Sequence, residues 1–355
     1  MRIVHLTDSM SNTANGIVNV VVDLATTQAA LGHEVWVVSA GGDWYDLLHA
    51  HGVSTAEVDF SRRAPRQLPA TLRRVRGLLR RLDPDVVHSH TLTPAVLASV
   101  AAPRVPSVAT VHNEFQRGVG VMGLSDAVVC VSGAVERAMQ RRPLARRKTC
   151  TVTNATIGSP RRPGRPAAAD LGHPAVVAVG SVTRRKGSDV LVAAFGRVAE
   201  AHPDAQLWFV GNVDEPDTLE AAAGAPWSDR VHTVGSVADP RPHLYGADIA
   251  VTASRRDPFP LVVGEQREAG LACVVSSADG LPEAVDHGAA GLVFPSGDVD
   301  ALARALDHLL GDETARAELG ERARRGLERA HVTRMTGEYL AVYARLLAEG
   351  RPRRP

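Results

Sequence analysis

The sequence has no uninterrupted apolar stretch of the roughly 18 residues that a membrane-spanning helix requires. Its start is also unlike a signal peptide, because the strand-like run RIVHL follows Met1 without a basic segment, a long apolar segment or a small-residue cleavage site. These two absences predict a cytoplasmic protein. A peripheral position on the inner face of the membrane stays open.

Cysteine and lysine are both scarce. Of the three cysteines, Cys130 and Cys273 lie inside apolar runs, and an odd number of widely spaced cysteines does not indicate a disulfide framework. We therefore expect reduced thiols that pack in the core. Only Lys148 and Lys186 are lysines among 40 cationic residues, so arginine serves wherever a general positive charge is needed. A retained lysine is thus a small indication of function.

Charge is distributed unevenly between the two halves of the chain. Residues 1–165 carry 20 basic and 12 acidic residues, whereas the remainder carries 20 and 27. The basic half lacks the zinc-finger, recognition-helix or aromatic-basic pattern of nucleic-acid-binding proteins, so we expect no nucleic-acid partner. The cationic helix predicted at Leu68–Leu82 and the basic segment 141–148 could instead rest on an anionic membrane, although such charge runs are usually only solvated faces.

The length of 355 residues favours two domains over one. Short β-branched runs alternate with helical patterns in both halves, which predicts an α/β protein with two doubly wound parallel sheets. Segment 158–172 (GSPRRPGRPAAADLG) is rich in Pro, Gly and Arg without an apolar period and is interpreted as a linker. The predicted domains are 1–157 and 173–332. Ligands of such folds bind at the carboxyl ends of the strands, so we expect a cleft there.

The strongest chemical signal is the run SRRDPFPLVVGEQREAGLACVVSS, in which Asp257 and Glu265 stand eight residues apart. A helix predicted from about Val262 would direct its amino-terminal amides at an anion. The two carboxylates could accept hydrogen bonds from sugar and ribose hydroxyls. On spacing alone, two such acids are more often solubilising groups on a helix.

Other candidate residues follow predicted strands. Lys186 precedes Gly187 after the first strand of the second half, where a cation can neutralise a diphosphate. Gly16 opens a helix after the first strand and would allow close approach of a phosphate. His88 and His90 alternate on one strand, but the sequence offers no third ligand with supporting spacing, so no metal site is predicted.

This pattern resembles the retaining glycosyltransferases of family 4, whose motif is two glutamates eight apart around a Gly-Phe-Gly-Leu loop. The resemblance covers essentially the whole chain and implies the GT-B fold, with two Rossmann-like domains facing each other and a last helix, 333–350, packing back on the first. Further segments fall in the family's order, at 32–35, 84–90, 108–113, 126–139, 152–157, 178–187, 209–212, 245–254 and 279–285.

The resemblance implies a role for each matching residue. His112, Lys186 and Asp257 would be catalytic, with Asp257 and His112 near the transferred sugar. Glu265 would hold the ribose. The remaining donor-binding positions would be Gly16, Ser181, Arg184, Arg185, Gly211, Ser236, Val237, Phe259, Pro260, Leu261 and Val262. On the acceptor side the candidates are His90, Thr91, Glu114 and Arg117.

Three residues depart from the family's pattern. Ser181 stands where an arginine is usual, so Arg184 or Arg185 would supply the second cation. Asp257 replaces a glutamate, and Pro260 replaces a glycine whose amide would help to hold the donor. These departures keep a catalytically weak binding or partner protein open as an alternative. A nucleotide-sugar epimerase of the same fold is the other.

The predicted activity is transfer of a hexose or amino-hexose from a UDP- or GDP-linked sugar to an acceptor hydroxyl, with retention of anomeric configuration. The resemblance implies no cofactor, because the nucleotide sugar is a substrate, and no metal. The acceptor is not determined and could be a small polar molecule, a natural product, a glycan or a lipid.

Overall fold

A computed structural model describes residues 1–11, 16–61 and 66–350. The chain divides into two compact units. Unit 1 comprises Met1–Arg161 and the chain from His331 onward, and unit 2 comprises Arg162–Ala330. The first boundary falls within the segment 158–172, whose composition is that of a linker.

In the described part of unit 1, parallel strands alternate with helices along the chain. The strands are β1 (Arg2–Leu6), β2 (Glu34–Ser39), β3 (Ser54–Glu57), β4 (Val86–Ser89), β5 (Ser107–Val111), β6 (Ala127–Cys130) and β7 (Thr149–Thr151). The helices are α1 (Gly16–Ala30), α2 (Tyr45–Ala50), α3 (Leu68–Leu82), α4 (Leu92–Ala101) and α5 (Gly133–Gln140). The sheet has the order β3-β2-β1-β4-β5-β6-β7. Its direction of winding reverses between β1 and β4, which is where doubly wound sheets open a crevice.

Unit 2 repeats this architecture. Its strands are β8 (Ala175–Val179), β9 (Gln206–Val210), β10 (Val231–Gly235), β11 (Ile249–Thr252), β12 (Ala272–Ser276) and β13 (Leu292–Phe294). Its helices are α6 (Ser188–Val198), α7 (Arg241–Tyr245), α8 (Leu261–Ala269), α9 (Leu281–Ala284), α10 (Val299–Gly311) and α11 (Glu313–Arg324). The strand order β10-β9-β8-β11-β12-β13 reverses between β8 and β11. The two doubly wound parallel sheets predicted from the sequence are therefore confirmed.

The central strands are continuous β-branched runs because both faces of each sheet are covered by helices. All residues of β4, β5, β11 and β12 are buried. The edge strand β3 is polar and half-buried, and the sequence pattern did not predict it.

The last helix, α12 (Val332–Glu349), packs on α1 in unit 1. Tyr339 and Tyr343 on its inner face are fully buried. Among the described residues, no helix is both long enough and apolar enough to cross a membrane.

The start of the linker segment is tied to unit 1. The guanidinium of Arg161 donates to both carboxylate oxygens of Asp23 on α1, at 2.8 and 2.7 Å, and both side chains are almost completely buried. Beyond the boundary, Arg241 of unit 2 donates to the carbonyls of Arg162 and Gly164. The segment is therefore irregular but anchored along its length.

Candidate active site

Three glycines shape the carboxyl ends of β8, β9 and β10 in unit 2. Gly180 has a φ of 130° and Gly211 a φ of 156°, and a Cβ on Gly211 would collide with the carbonyl of Gly180. Gly211 also forms an isolated bridge with Gly235. Gly211 must therefore lack a side chain for the ends of β8 and β9 to approach this closely.

Two loops that follow β8 and β11 are joined at the same edge of the sheet. The amide of Arg255 donates to the carbonyl of Arg185 at 2.8 Å, and the Arg185 guanidinium donates to the carbonyl of Arg256 at 3.2 Å. Gly187, with a φ of 73°, caps α6 at a point where a Cβ would collide with the carbonyl of Ala253. The backbone therefore holds the two loops side by side.

The joined loops place Lys186 against Asp257. The distance from Lys186 Nζ to Asp257 Oδ2 is 2.7 Å, and the two side chains are 25% and 9% exposed. The amide of Asp257 donates to the carboxylate of Asp279 at 2.8 Å, which fixes the loop on its other side. Two of the three predicted catalytic residues thus form one partly buried ion pair, although they stand 71 positions apart.

Arg184 and Arg185, which precede Lys186, are bound to groups other than Asp257. Arg184 is 58% exposed and pairs with Asp217 at 2.6 Å, and the Arg185 guanidinium is bound to the backbone as described above. Ser181, in the position where the family usually has an arginine, lines a pocket with Lys186, Gly180 and Ser254. Lys186 is therefore the cation that the loops direct into this pocket.

The sequence analysis did not identify Ser254. Ser254 is 1% exposed, and within the described residues its Oγ has no hydrogen-bond partner. A buried hydroxyl without a partner is costly, and such a group is explained by strain, by a catalytic role or by a bound water or ion. The signal that could have identified it is its position directly after the buried strand β11, at the pocket edge of the sheet.

Helix α8 begins as predicted, just after Pro260. Pro260 has an extended backbone conformation, with φ −77° and ψ 123°, and precedes the free amides of Leu261 and Val262. On the first turns, Glu265 is half-buried near Arg241. Hydrogen bonding to Asp239, together with the nearby charges of Asp239 and Glu265, raises the pKa of Arg241.

The buried face of α8 is fixed by polar contacts. Gln266 bonds Thr252 on β11, and Arg267 donates to the carbonyls of Ala323 and Ala284 and to Asp286. Phe259, before the helix, packs against a cluster that includes Val263. These contacts fix the orientation of α8 within unit 2.

The other two predicted donor residues of unit 2 follow β10. Ser236 is exposed, whereas Val237 packs against the apolar cluster around Leu244. Val237 thus has a packing role that sequence reasoning did not anticipate.

In unit 1, three polar residues follow neighbouring strands. Asp8 follows β1, Thr91 follows β4 and His112 follows β5, and Thr91 Oγ1 donates to Asp8 Oδ1 at 3.1 Å. Of the other candidates, Glu114 is half-buried and Arg117 is exposed. Gly16 is the first residue of α1, but residues 12–15 before it lie outside the described part of the chain.

The structure corrects the interpretation of His90 as an acceptor-side residue. His90 is 2% exposed, and both of its ring nitrogens form hydrogen bonds with other histidines: Nε2 with His5 Nδ1 at 3.0 Å and Nδ1 with His112 Nε2 at 3.2 Å. Its side chain is therefore buried and fully hydrogen-bonded within unit 1, which does not favour direct contact with an acceptor.

The sequence analysis also missed a third histidine. His5 on β1 is paired in register with His88 on β4, and ring nitrogens of His5, His88 and His90 lie within 4.8 Å of one another. The fold therefore supplies a third imidazole that the spacing in the sequence did not reveal. Burial lowers the pKa of His5 to about 4 and that of His112 to about 3, and it holds the pKa values of His88 and His90 well below their usual range. All four imidazoles are neutral at pH 7.

Comparison with known proteins bears on the family and the fold. Residues 14–156 match the model of Glycosyltransferase Family 4, and residues 173–312 match that of Glycosyl transferases group 1. The lipopolysaccharide core biosynthesis glycosyltransferase LpsE of Rhizobium meliloti is 31% identical over 150 residues, 42% of this chain and 43% of that protein. The chain thus matches less than half the length of that relative.

Two other proteins match over almost their full lengths. The phosphatidyl-myo-inositol mannosyltransferase of Mycolicibacterium smegmatis is 25% identical, over 99% of this chain and 95% of that protein. The crystal structure of HepE from Anabaena, in complex with UDP and glucose, has a TM-score of 0.82 at 17% identity and covers 98% of this chain and 100% of its own. The likeness to HepE shows the GT-B fold. On the matches to both family models, the chain belongs to family 4, group 1, of the glycosyltransferases.

Proposed function

We propose that this glycosyltransferase moves a hexose or amino-hexose from a nucleotide-diphosphate sugar to an acceptor hydroxyl, with retention of anomeric configuration. The donor would be UDP- or GDP-linked. Neither a cofactor nor a metal takes part in the proposed reaction. The observation that carries this proposal is the Lys186–Asp257 ion pair at the pocket edge of the sheet in unit 2.

The ion pair supplies the two groups that a nucleotide-sugar donor needs. Lys186 can turn from Asp257 to the diphosphate, where a cation stabilises the departing negative charge. Asp257 is then free to accept hydrogen bonds from hydroxyls of the sugar. HepE, a protein of the same fold, was solved with UDP and glucose, which supports a donor of this kind.

The amino-terminal end of α8 adds a second anion-binding element. The amides of Leu261 and Val262 belong to the first turn and have no partner within the helix, and the helix dipole favours negative charge there. Pro260 contributes no amide, so the diphosphate would be held by fewer backbone donors than in relatives with glycine. Lys186 would then carry a larger share of the binding.

In the proposed reaction, the bond from C1 of the sugar to the diphosphate oxygen breaks as the acceptor oxygen bonds to C1 on the same face. The sugar passes through an oxocarbenium-like state. The acceptor proton goes to a phosphate oxygen of the departing nucleoside diphosphate. No side chain acts as a covalent nucleophile, and Lys186 stabilises the leaving charge.

The family matches bear differently on the two alternative functions, an epimerase and a catalytically weak binding protein. The matches to glycosyltransferase family models do not favour a nucleotide-sugar epimerase. A catalytically weak binding protein remains motivated by Ser181, Asp257 and Pro260. It predicts normal donor binding without turnover over a broad panel of acceptors.

The proposal is tested by calorimetric titration with UDP, GDP, dTDP and ADP. We expect one nucleotide to bind well, and binding to be lost in Lys186→Ala and Glu265→Ala. Arg197→Ala is the matched control, because Arg197 is a half-exposed cation of unit 2 that pairs with Asp300 on the surface. Failure of all four nucleotides to bind, or equal loss in the control, would contradict the proposed donor site.

A further inference from the structure

A chain of buried hydrogen bonds leads from α1 to His112. Gln28 Oε1 on α1 bonds His5 Nε2 at 2.7 Å, His5 Nδ1 bonds His90 Nε2 at 3.0 Å, and His90 Nδ1 bonds His112 Nε2 at 3.2 Å. Gln28 and His5 are fully buried, and His112 is the partly exposed end. His5 lies in β1, whereas His90 and His112 directly follow β4 and β5. These three strands are neighbours in the sheet, so the strand order brings the three imidazoles together.

The amide of Gln28 determines the direction of these bonds. Its Nε2 donates to the hydroxyl of Tyr343 at 3.4 Å, so its Oε1 accepts from His5 Nε2. A neutral imidazole carries one N–H, and therefore His5 Nδ1 accepts from His90 Nε2. By the same rule, His90 Nδ1 accepts from His112 Nε2. The remaining nitrogen of His112, Nδ1, is then an acceptor, and in the described part of the chain it has no hydrogen-bond partner.

A second set of hydrogen bonds connects Gln28 with Tyr343 on α12. The Tyr343 hydroxyl accepts from Gln28 and donates to His88 Nδ1 at 2.6 Å, and His88 Nε2 then donates to Thr110 Oγ1 at 2.7 Å. Both nitrogens of His5, His88 and His90 are thus used in hydrogen bonds. A metal ion held by these histidines would have to replace several of them, so the geometry favours a hydrogen-bonded chain over a metal centre.

We propose that Gln28, His5 and His90 are positioning residues that hold His112 in the tautomer protonated at Nε2, so that Nδ1 accepts a hydrogen bond from a hydroxyl of the bound sugar. This inference rests on the proposed function for the identity of the ligand. The tautomer itself is a property of the free protein.

The test is long-range ¹H–¹⁵N NMR of the histidine-labelled protein without ligand, with the His112→Gln spectrum used to assign the signals. We expect His112 to carry its proton on Nε2 and an unprotonated Nδ1. Gln28→Met should produce a mixture of both tautomers, whereas Gln28→Glu, which keeps an acceptor facing His5, should retain the Nε2–H form. Gln206→Met is the matched control, because it removes a His–Gln bond to His232 in unit 2 and should leave His112 unchanged.

Kinetics separate positioning from a purely structural role. In Gln28→Met, kcat should fall about three- to tenfold, as for loss of one neutral hydrogen bond, with little change in KM, and Gln28→Glu should restore it. A His112 protonated at Nδ1 in the free protein would overturn the proposal. So would stoichiometric metal in the purified protein that is lost in His5→Gln. If His112 carries its proton on Nε2 but no nucleotide sugar binds, the proposed function is contradicted. The positioning of His112 by Gln28, His5 and His90 is not contradicted by that result.

Discussion

At the scale of single residues, the Lys186–Asp257 pair balances one charge against the other in the free protein. The pair is partly buried, so each charge depends on the other for compensation until a ligand arrives. Asp257 is one methylene shorter than the glutamate usual in the family, and in this chain the shorter side chain still reaches Lys186.

Asp257→Asn should therefore separate nucleotide binding from turnover. The substitution frees Lys186 for a diphosphate, so we expect the Kd for the nucleoside diphosphate to be equal or lower. It also removes a charged acceptor for the sugar hydroxyls, so we expect kcat to fall on the order of 100-fold. Calorimetry and steady-state kinetics measure the two quantities.

Asp300→Asn is the control for that experiment, because Asp300 pairs with the half-exposed Arg197, which has no predicted role in the donor site. An unchanged kcat in Asp257→Asn would remove Asp257 from the proposed mechanism.

The buried hydroxyl of Ser254 gives a second prediction at this scale. Since Ser254 Oγ has no partner among the described residues, Ser254→Ala should not destabilise the free protein and could raise its Tm. If the donor supplies the missing partner, its Kd should rise about three- to tenfold. Differential scanning calorimetry and donor titration measure both effects. A lower Tm with unchanged donor affinity would show that the hydroxyl serves the fold alone.

At the scale of elements, helix α1 is connected to the segment that leaves unit 1. The Asp23–Arg161 pair is bidentate and has side-chain exposures of 0% and 1%. Ser159 also donates to Asp23. This contact turns an irregular, proline-rich segment into a fixed one.

Asp23→Ala should lower the free energy of unfolding by about 3–5 kcal/mol, because it leaves the Arg161 guanidinium buried without its partner. Denaturation in urea, followed by circular dichroism, measures the change. Glu34→Ala is the contrasting variant, since Glu34 pairs with Arg2 at side-chain exposures of 53% and 37% and its loss should change stability little. Equal losses of stability in Asp23→Ala and Glu34→Ala would contradict the expectation that burial makes the Asp23–Arg161 pair the more important of the two.

At the scale of the whole molecule, segment 141–148 carries five of the 20 basic residues of the first half of the chain. Leu144 is 49% exposed in this segment, between the exposed Arg141 and Arg142 and the exposed Arg146. An exposed leucine among arginines suits an anionic membrane surface, where each nearby cation contributes about 1 kcal/mol.

We expect the protein to sediment with vesicles that contain phosphatidylserine, less so at high salt, and not with vesicles of phosphatidylcholine alone. Leu144→Asp should weaken this association, whereas Leu31→Asp, at a leucine that is 55% exposed outside the basic segment, should not. Equal binding to both kinds of vesicle, or equal loss in both variants, would contradict a specific membrane contact.

The sequence by itself determined the alternation of strands and helices and identified the candidate residues of the donor motif. The bounds of α3, Leu68–Leu82, were predicted to the residue, because an amphipathic stripe specifies its own conformation. The polar edge strand β3 lacks such a pattern and was missed. Lys186 and Asp257 were each identified from local motifs.

Only the tertiary structure decided which of these residues meet. The contact of Lys186 with Asp257, the orphan hydroxyl of Ser254 and the chain from Gln28 to His112 depend on strand order and register. Local hydrophobic patterns specify which residues are buried, but they do not specify which strands become neighbours. His5 and His88 are 83 positions apart in the sequence, and they meet because β1 and β4 pair at the point where the winding of the sheet reverses.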